Sequence, residues 1–256
     1  MSIIAYFPTI RRSPNVINLT YFFYNKKCYN VFMSFTIKTT TKPEDPANFI
    51  ALSILKQLES GKRVLFFVTG GSSIAICVKI AKLLRNYPRQ DLIKNLTVAL
   101  TDERYGPLNH PDSNWYQLVR EGFVLSSAKL IPILTDEDRT VTVKKFETIL
   151  HQEFTRTEYK IGLFGIGADG HTAGILPESG AVKSEDLACG YDTLTFSRIT
   201  ITPKTIEKLD EAVIWVQGEN KWSVLENLEK DIDIIKQPAQ ALKRVPLLTI
   251  FTDHAR

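Results

Sequence analysis

Cysteine is scarce in this chain: Cys28, Cys77 and Cys189 lie far apart, with no CxxC pair and no metal-type spacing. That pattern excludes a disulfide framework or a zinc ribbon and points to thiols in a reducing, cytoplasmic compartment. Histidine is scarce too, with only His110, His151, His171 and His254. No two of them stand at ligand spacing, so no metal is expected. No uninterrupted apolar run approaches the roughly 20 residues of a membrane-spanning helix, and a membrane role is not expected. Acidic residues are missing from the start of the chain. Residues 1–32 hold Arg11, Arg12, Lys26 and Lys27 and no Asp or Glu, which accounts for the whole net charge of +4. The remainder is formally neutral, whereas a nucleic-acid binder concentrates its basic residues on a folded face. Nucleic acid is therefore not an expected partner.

That acid-free segment is aromatic and ends just before Met33. Three readings stay open for it: an additional N-terminal strand or arm, translation that starts at Met33, or a targeting presequence. It is treated as an extension of uncertain status, and residues 33–256 are expected to form one domain. With 44% apolar residues over 256 positions, the chain has enough material for a sizeable core.

From about residue 44 the pattern alternates between helix and strand. "EDPANFIALSILKQLESG" places Asp45 as an N-cap, Pro46 at the first helical position and Gly61 as a stop. The apolar strands "VLFFV" (64–68), "LTVAL" (96–100), "IGLF" (161–164), "RITIT" (198–202), "AVIWVQG" (212–218) and "PLLTIF" (246–251) follow in order. Helical stretches are expected near 74–85, 139–155 and 219–229. Strands that are apolar throughout, separated by helices, imply a mainly parallel sheet covered on both faces. The expected fold class is therefore α/β, a three-layer α/β/α Rossmann-like single domain.

In such sheets ligands bind where the strands end and loops run into helix N-termini. "TGGSS" (69–73) brings Gly70, Gly71 and Ser72 to the start of a helix, where free N–H groups favour an anion. It lacks both the GxGxxG of a dinucleotide site and the lysine of a P-loop, so no cofactor is expected. "TDERYGPLNHPDSN" (101–114) places Asp102, Glu103 and Arg104 directly after a strand, with Ser113 and Asn114 as helix caps. Arg104 can hold a phosphate with its guanidinium fork, while Asp102 and Glu103 can orient it or meet sugar hydroxyls. His110, beside Pro111, reads as a surface or structural residue, and His151 as part of a polar helix face.

"GIGADGHTAGILP" (165–177) holds Gly165, Gly167 and Gly170 between a strand and an expected short helix, with Asp169 and His171 two residues apart. Histidine suits general-base work near neutral pH, and a neighbouring carboxylate orients it. No GxSxG motif supplies a nucleophile, so the base acts on water or directly on substrate. Later, "SRIT" and "GENK" contribute Arg198 and Lys221. Convergence of Arg104, Arg198 and Lys221 at a helix N-terminus makes a site for a phosphate dianion.

Taken in order, "TGGSS", "TDERYGPLNHPDSNWYQL", "LFGIGADGHTAGILPES", "RITIT", "VQGENK" and "PLLTIFTDHA" resemble the motifs of the 6-phosphogluconolactonase family over residues 64–254. The resemblance implies a fold shared with glucosamine-6-phosphate deaminase. It also implies hydrolysis of 6-phospho-D-glucono-1,5-lactone to 6-phosphogluconate in the oxidative pentose phosphate pathway. A monomer or small homo-oligomer is expected. By the same resemblance the catalytic histidine falls on His171 and its partner on Asp169. Phosphate-binding positions fall on Gly70, Gly71, Ser72, Arg104, Arg198 and Lys221. Ser73, Gly106 and Gly174 stand where the family more often has Thr, Val and Ser, which leaves fine substrate preference open. The related deaminase, reading "DEY" and "GHIAFNEP" at the matching places, is the nearest alternative. A non-catalytic sugar-phosphate-binding domain is the other.

Overall fold

Apolar strands have to be covered on both faces, and this chain covers them with helices. The computed structural model describes residues 35–255 together with three two-residue strands, β1 (Val16–Ile17), β2 (Phe23–Tyr24) and β3 (Lys27–Cys28). The rest of segment 1–32 lies outside the described residues, and with it the readings made of that segment.

The main sheet contains β4 (Phe35–Thr39), β5 (Val64–Val68), β6 (Leu96–Leu100), β8 (Lys129–Ile131), β9 (Tyr159–Gly165), β12 (Glu211–Val216) and β13 (Leu247–Thr252). Their order is β4-β13-β12-β9-β5-β6-β8, all parallel, and β1 adds antiparallel to the β4 edge. Helices α1 (Glu44–Glu59), α2 (Ile74–Arg85), α3 (Gln90–Ile93), α4 (Asn114–Arg120), α5 (Arg139–Arg156), α6 (Pro203–Ile206) and α7 (Trp222–Glu226) complete the three-layer α/β domain. Helices α1 and α2 pack on each other, and Phe154 of α5 meets Phe67 of β5 at 6.2 Å between ring centres. Every residue of β5 and β6 is buried, which is why both read as unbroken apolar runs.

The chain leaves β5 for β6 and β8 on one side, then returns through α5 to place β9 on the other side of β5. This reversal makes a crevice at the carboxyl ends of β5 and β9, where open α/β sheets bind ligands.

A second, smaller sheet stands over that crevice: β7 (Asp102–Arg104), β10 (Ala188–Asp192) and β11 (Ser197–Ile201), ordered β10-β11-β7 and antiparallel. The expectation that "RITIT" joins the parallel sheet is thus corrected. Its partners are β7 and β10, because the chain turns out of the main sheet at Thr101. The Thr101 N–H donates to the Val68 carbonyl at 2.8 Å in the parallel register, while its own carbonyl accepts the Ile201 N–H at 2.9 Å.

Other boundaries shift for local reasons. Helix α1 begins at Glu44 after Pro43, so Asp45 is not its N-cap. Its carboxylate instead accepts the Thr40 hydroxyl at 2.5 Å and sits in the first turn, where the helix dipole favours an acid. Pro46 follows in the same turn, where a missing N–H costs nothing. The stretch expected as one helix over 219–229 is α7 flanked by 3₁₀ turns at Glu219–Lys221 and Asn227–Glu229.

Phe67 is fully buried between the sheet and α5. Phe67→Ala is expected to lower unfolding free energy by about 3–5 kcal/mol, read as a lower urea midpoint at unchanged slope.

Candidate active site

The crevice holds a cavity of about 360 Å³ whose lining includes Gly70, Gly71, Ser72, Asp102, Arg104, Asn114, Gly167, His171, Arg198 and Lys221. Five separate stretches of chain therefore meet there. After β5, Gly70 is extended and Gly71–Ser73 forms a 3₁₀ turn running into α2, which leaves the start of that helix facing the cavity.

After β9 the backbone curls through Gly167 so that its carbonyl accepts the Gly170 N–H at 2.9 Å and its N–H meets the His171 carbonyl at 3.0 Å. No helix follows. Thr172 and Ile175 instead form an isolated bridge, and the Thr172 hydroxyl donates to the Gly165 carbonyl at 2.8 Å. The short helix expected here is replaced by this turn, which carries Ala173 at φ 50° and Gly174 at φ 69°. Both conformations lie in the left-handed region and interrupt a helix.

Within this turn His171 Nδ1 lies 2.6 Å from Asp169 Oδ1, and the same oxygen accepts the His171 backbone N–H at 3.1 Å. An ionised carboxylate only accepts, so Nδ1 is the protonated nitrogen of this pair, and the neutral imidazole keeps its lone pair on Nε2. His171 lines the cavity, and Asp169 stands behind it. Gly167 permits the arrangement: a β-carbon there would lie 2.2 Å from the imidazole and 2.7 Å from Asp169 Oδ1. Burial disfavours the Asp169 charge, but the His171 N–H, the attraction of the imidazole and its hydrogen bond more than offset this. The Asp169 carboxyl is held below its ordinary value.

On the small sheet Arg104 and Arg198 are direct cross-strand partners. The ring of Phe196 lies 5.2 Å from one guanidinium and 5.5 Å from the other. Arg198 meets Asp102 at 3.5 Å and Arg104 donates to the Asp112 carbonyl at 2.8 Å, yet the buried Nε of each arginine has no partner. Asn114 is likewise buried: its Nδ2 donates to the Asp102 carbonyl at 2.9 Å, and its Oδ1 has no partner. Lys221 enters from the turn after β12 and makes no ion pair among the described residues.

The supporting residues divide. Glu103 turns away from the cavity and accepts the N–H groups of Arg104, Asn114 and Trp115 and the Ser113 hydroxyl, tying the start of α4 to β7. Burial pushes its carboxyl above the ordinary value, with those hydrogen bonds opposing the shift. Ser113 caps α4 by accepting the Tyr116 N–H. Gly170 faces Gln237 rather than the cavity. His110 faces the Arg104 carbonyl at 2.9 Å and His151 pairs with Glu147 on α5, both outside the lining. Phe196 is not among the sequence candidates, because its place between two arginines depends on a register that only the folded sheet sets.

A family model described as glucosamine-6-phosphate isomerases/6-phosphogluconolactonase matches residues 42–249. A Neisseria meningitidis protein named 6-phosphogluconolactonase is 30% identical over 166 residues, covering 56% of this chain and 68% of that one. A Chlamydia pneumoniae protein of the same name is 24% identical over 130 residues, and there the match spans half the length of each chain. The crystal structure of 6-phosphogluconolactonase from Thermotoga maritima superposes with a TM-score of 0.72 at 19% identity, covering 85% of this chain and 98% of the other.

The geometry around Asp169 has a direct check. Its carboxyl carbon resonance is expected to titrate below the ordinary aspartate range in the native protein, and to move up in His171→Ala, which keeps the backbone N–H but removes the imidazole's attraction and hydrogen bond. An unchanged midpoint in the variant removes the imidazole from the pair.

Proposed function

The chain belongs to the family of glucosamine-6-phosphate isomerases and 6-phosphogluconolactonases, and from that premise we propose that it hydrolyses 6-phospho-D-glucono-1,5-lactone to 6-phosphogluconate. The observation that carries this reading is the joint placement, in one cavity, of an Asp-oriented histidine and three basic side chains. One part handles a proton, and the other holds a dianion.

His171 Nε2 takes a proton from water as the water oxygen attacks the lactone carbonyl. Asp169 keeps the imidazole in the Nδ1–H form and stabilises the cation that develops. Backbone N–H groups of the glycine turns receive the negative charge on the carbonyl oxygen. When the tetrahedral intermediate collapses, the imidazolium returns its proton to the ring oxygen and the ester bond opens. Water and lactone are consumed, and one carboxylic acid with one new hydroxyl is formed.

Arg104, Arg198 and Lys221, with the Gly70–Ser72 turn, hold the phosphate at the far end of the substrate. Binding energy from that non-reacting group is thereby turned into orientation of the carbonyl before His171. The buried, unpartnered Nε atoms of both arginines support this role, since buried donors ordinarily find acceptors. Of the two activities in the family description, the lactonase is the one borne by the named relatives. The protein works in this reading as a cytoplasmic monomer or small homo-oligomer, without cofactor.

The test generates the lactone in place from glucose 6-phosphate by an added dehydrogenase and follows hydrolysis above the spontaneous rate. His171→Ala is expected to lower kcat by about 10²–10⁴-fold with KM little changed. Arg198→Ala should chiefly raise KM for the phosphorylated lactone and leave an unphosphorylated δ-lactone unaffected. Full turnover in the first variant removes His171 from the mechanism, and equal losses on both lactones remove Arg198 from the phosphate site.

A further inference from the structure

Lys221 is the one cation of the proposed clamp that does not stand on a strand. It ends a three-residue 3₁₀ turn, Glu219–Lys221, and is followed by a helix of five residues, α7. Neither element is long enough to hold a flexible lysine in one place by its own hydrogen bonds. The turn opens at Gly218, whose φ of 99° is a conformation that L side chains rarely adopt. Something outside the turn has to fix it.

The tail of the chain does so. Asp253, directly after β13, accepts the Gly218 N–H on Oδ2 at 2.9 Å and the Trp222 indole N–H on Oδ1 at 2.9 Å. One carboxylate thus bridges the residue that begins the turn and the residue that follows Lys221. The Trp222 hydrogen bond holds the Asp253 carboxyl below its ordinary value, with burial opposing and the Gly218 N–H adding to the effect. Behind the indole, the His254 ring stacks at 4.6 Å between centres, and His254 Nε2 lies 3.0 Å from Glu226 on α7. None of Asp253, Trp222 and His254 lines the cavity, whereas Lys221 does.

We propose that Asp253 is a positioning residue that acts through Lys221, bridging Gly218 and Trp222 so that the ammonium group is held facing the phosphate of the substrate. This rests on the phosphate-clamp reading of the cavity. A bridge of two hydrogen bonds to a charged acceptor is strong enough for the task, because charge-assisted bonds are roughly twice as strong as neutral ones.

The test is a double-mutant cycle with two readouts, KM for the phosphorylated lactone and Kd for inorganic phosphate. Asp253→Asn keeps the shape but replaces one acceptor oxygen by a donor, and Trp222→Phe removes only the indole N–H. Each is expected to raise KM and Kd about three- to thirtyfold with kcat changed by less than about twofold. In the Lys221→Met background neither substitution should raise them further, because the residue through which they act is gone. Asp253→Glu, which keeps both acceptors, is expected to recover most of the loss.

An unaltered KM and Kd in soluble, folded Asp253→Asn overturns the proposal. So does the same additional loss in the Lys221→Met background, which marks a general loosening of the fold. If Asp253→Asn does not fold, Trp222→Phe carries the cycle alone. Absence of lactone hydrolysis by the unaltered protein overturns the functional reading instead, and the phosphate Kd cycle still decides whether Asp253 acts through Lys221.

Discussion

Strands β5 and β9 are hydrogen-bonded neighbours, with Val64 opposite Tyr159 and Phe67 opposite Gly162, although the chain runs through β6 and β8 between them. That pairing sets everything else in the site. Parallel register brings the two carboxyl ends level, so the turn Gly70–Ser73 and the turn carrying Asp169 and His171 emerge side by side. A slip of one residue would turn every β9 side chain to the opposite face. Ile161 and Leu163 on one face and Phe164 on the other are all buried, and close packing of such different shapes opposes the exchange. The apolar core therefore acts on chemistry indirectly, by fixing how far apart two polar turns stand.

The small antiparallel sheet contributes a different constraint. Its register places Arg104 directly across from Arg198, and like charges in such positions repel. Asp102 offsets part of this at 3.5 Å from Arg198, and the π-face of Phe196 attracts both guanidinium groups. Neither contact supplies an acceptor to the two buried Nε atoms. Each guanidinium therefore keeps one buried donor uncommitted.

Much of the main sheet was legible because strands buried on both faces read as continuous apolar runs, and "VLFFV" and "LTVAL" match their observed bounds. The placement of "RITIT" was not legible, since an apolar run carries no mark of its partner. Thr101, which diverts the chain toward it, is an ordinary residue in sequence. The turn after Gly170 resembles a helix start in sequence, because nothing in "HTAG" announces left-handed backbone at Ala173 and Gly174. Asp45 looked like a cap because the sequence does not show Thr40 folding back onto it. His171 and Asp169 could be singled out because they stand only two residues apart in the chain. Asp253 and Phe196 could not, because each takes its meaning from a residue far away in the chain.

Thr101 also explains how two separately built halves act as one site. The histidine pair and the anion-facing turn belong to the parallel sheet, whereas Arg104 and Arg198 belong to the antiparallel one. Thr101 is fully buried and joins both ladders, through its N–H to Val68 and its carbonyl from Ile201, while its hydroxyl meets Asp102 at 3.0 Å. Any tilt of the small sheet must therefore break a buried backbone hydrogen bond, at a cost of roughly 1–3 kcal/mol for each group left unsatisfied. Lys221 has no comparable tie within its own short turn and depends on the end of β13. The cavity is thus braced by buried backbone hydrogen bonds where two strand ladders meet, and beside Lys221 by the Asp253 carboxylate that bridges Gly218 and Trp222.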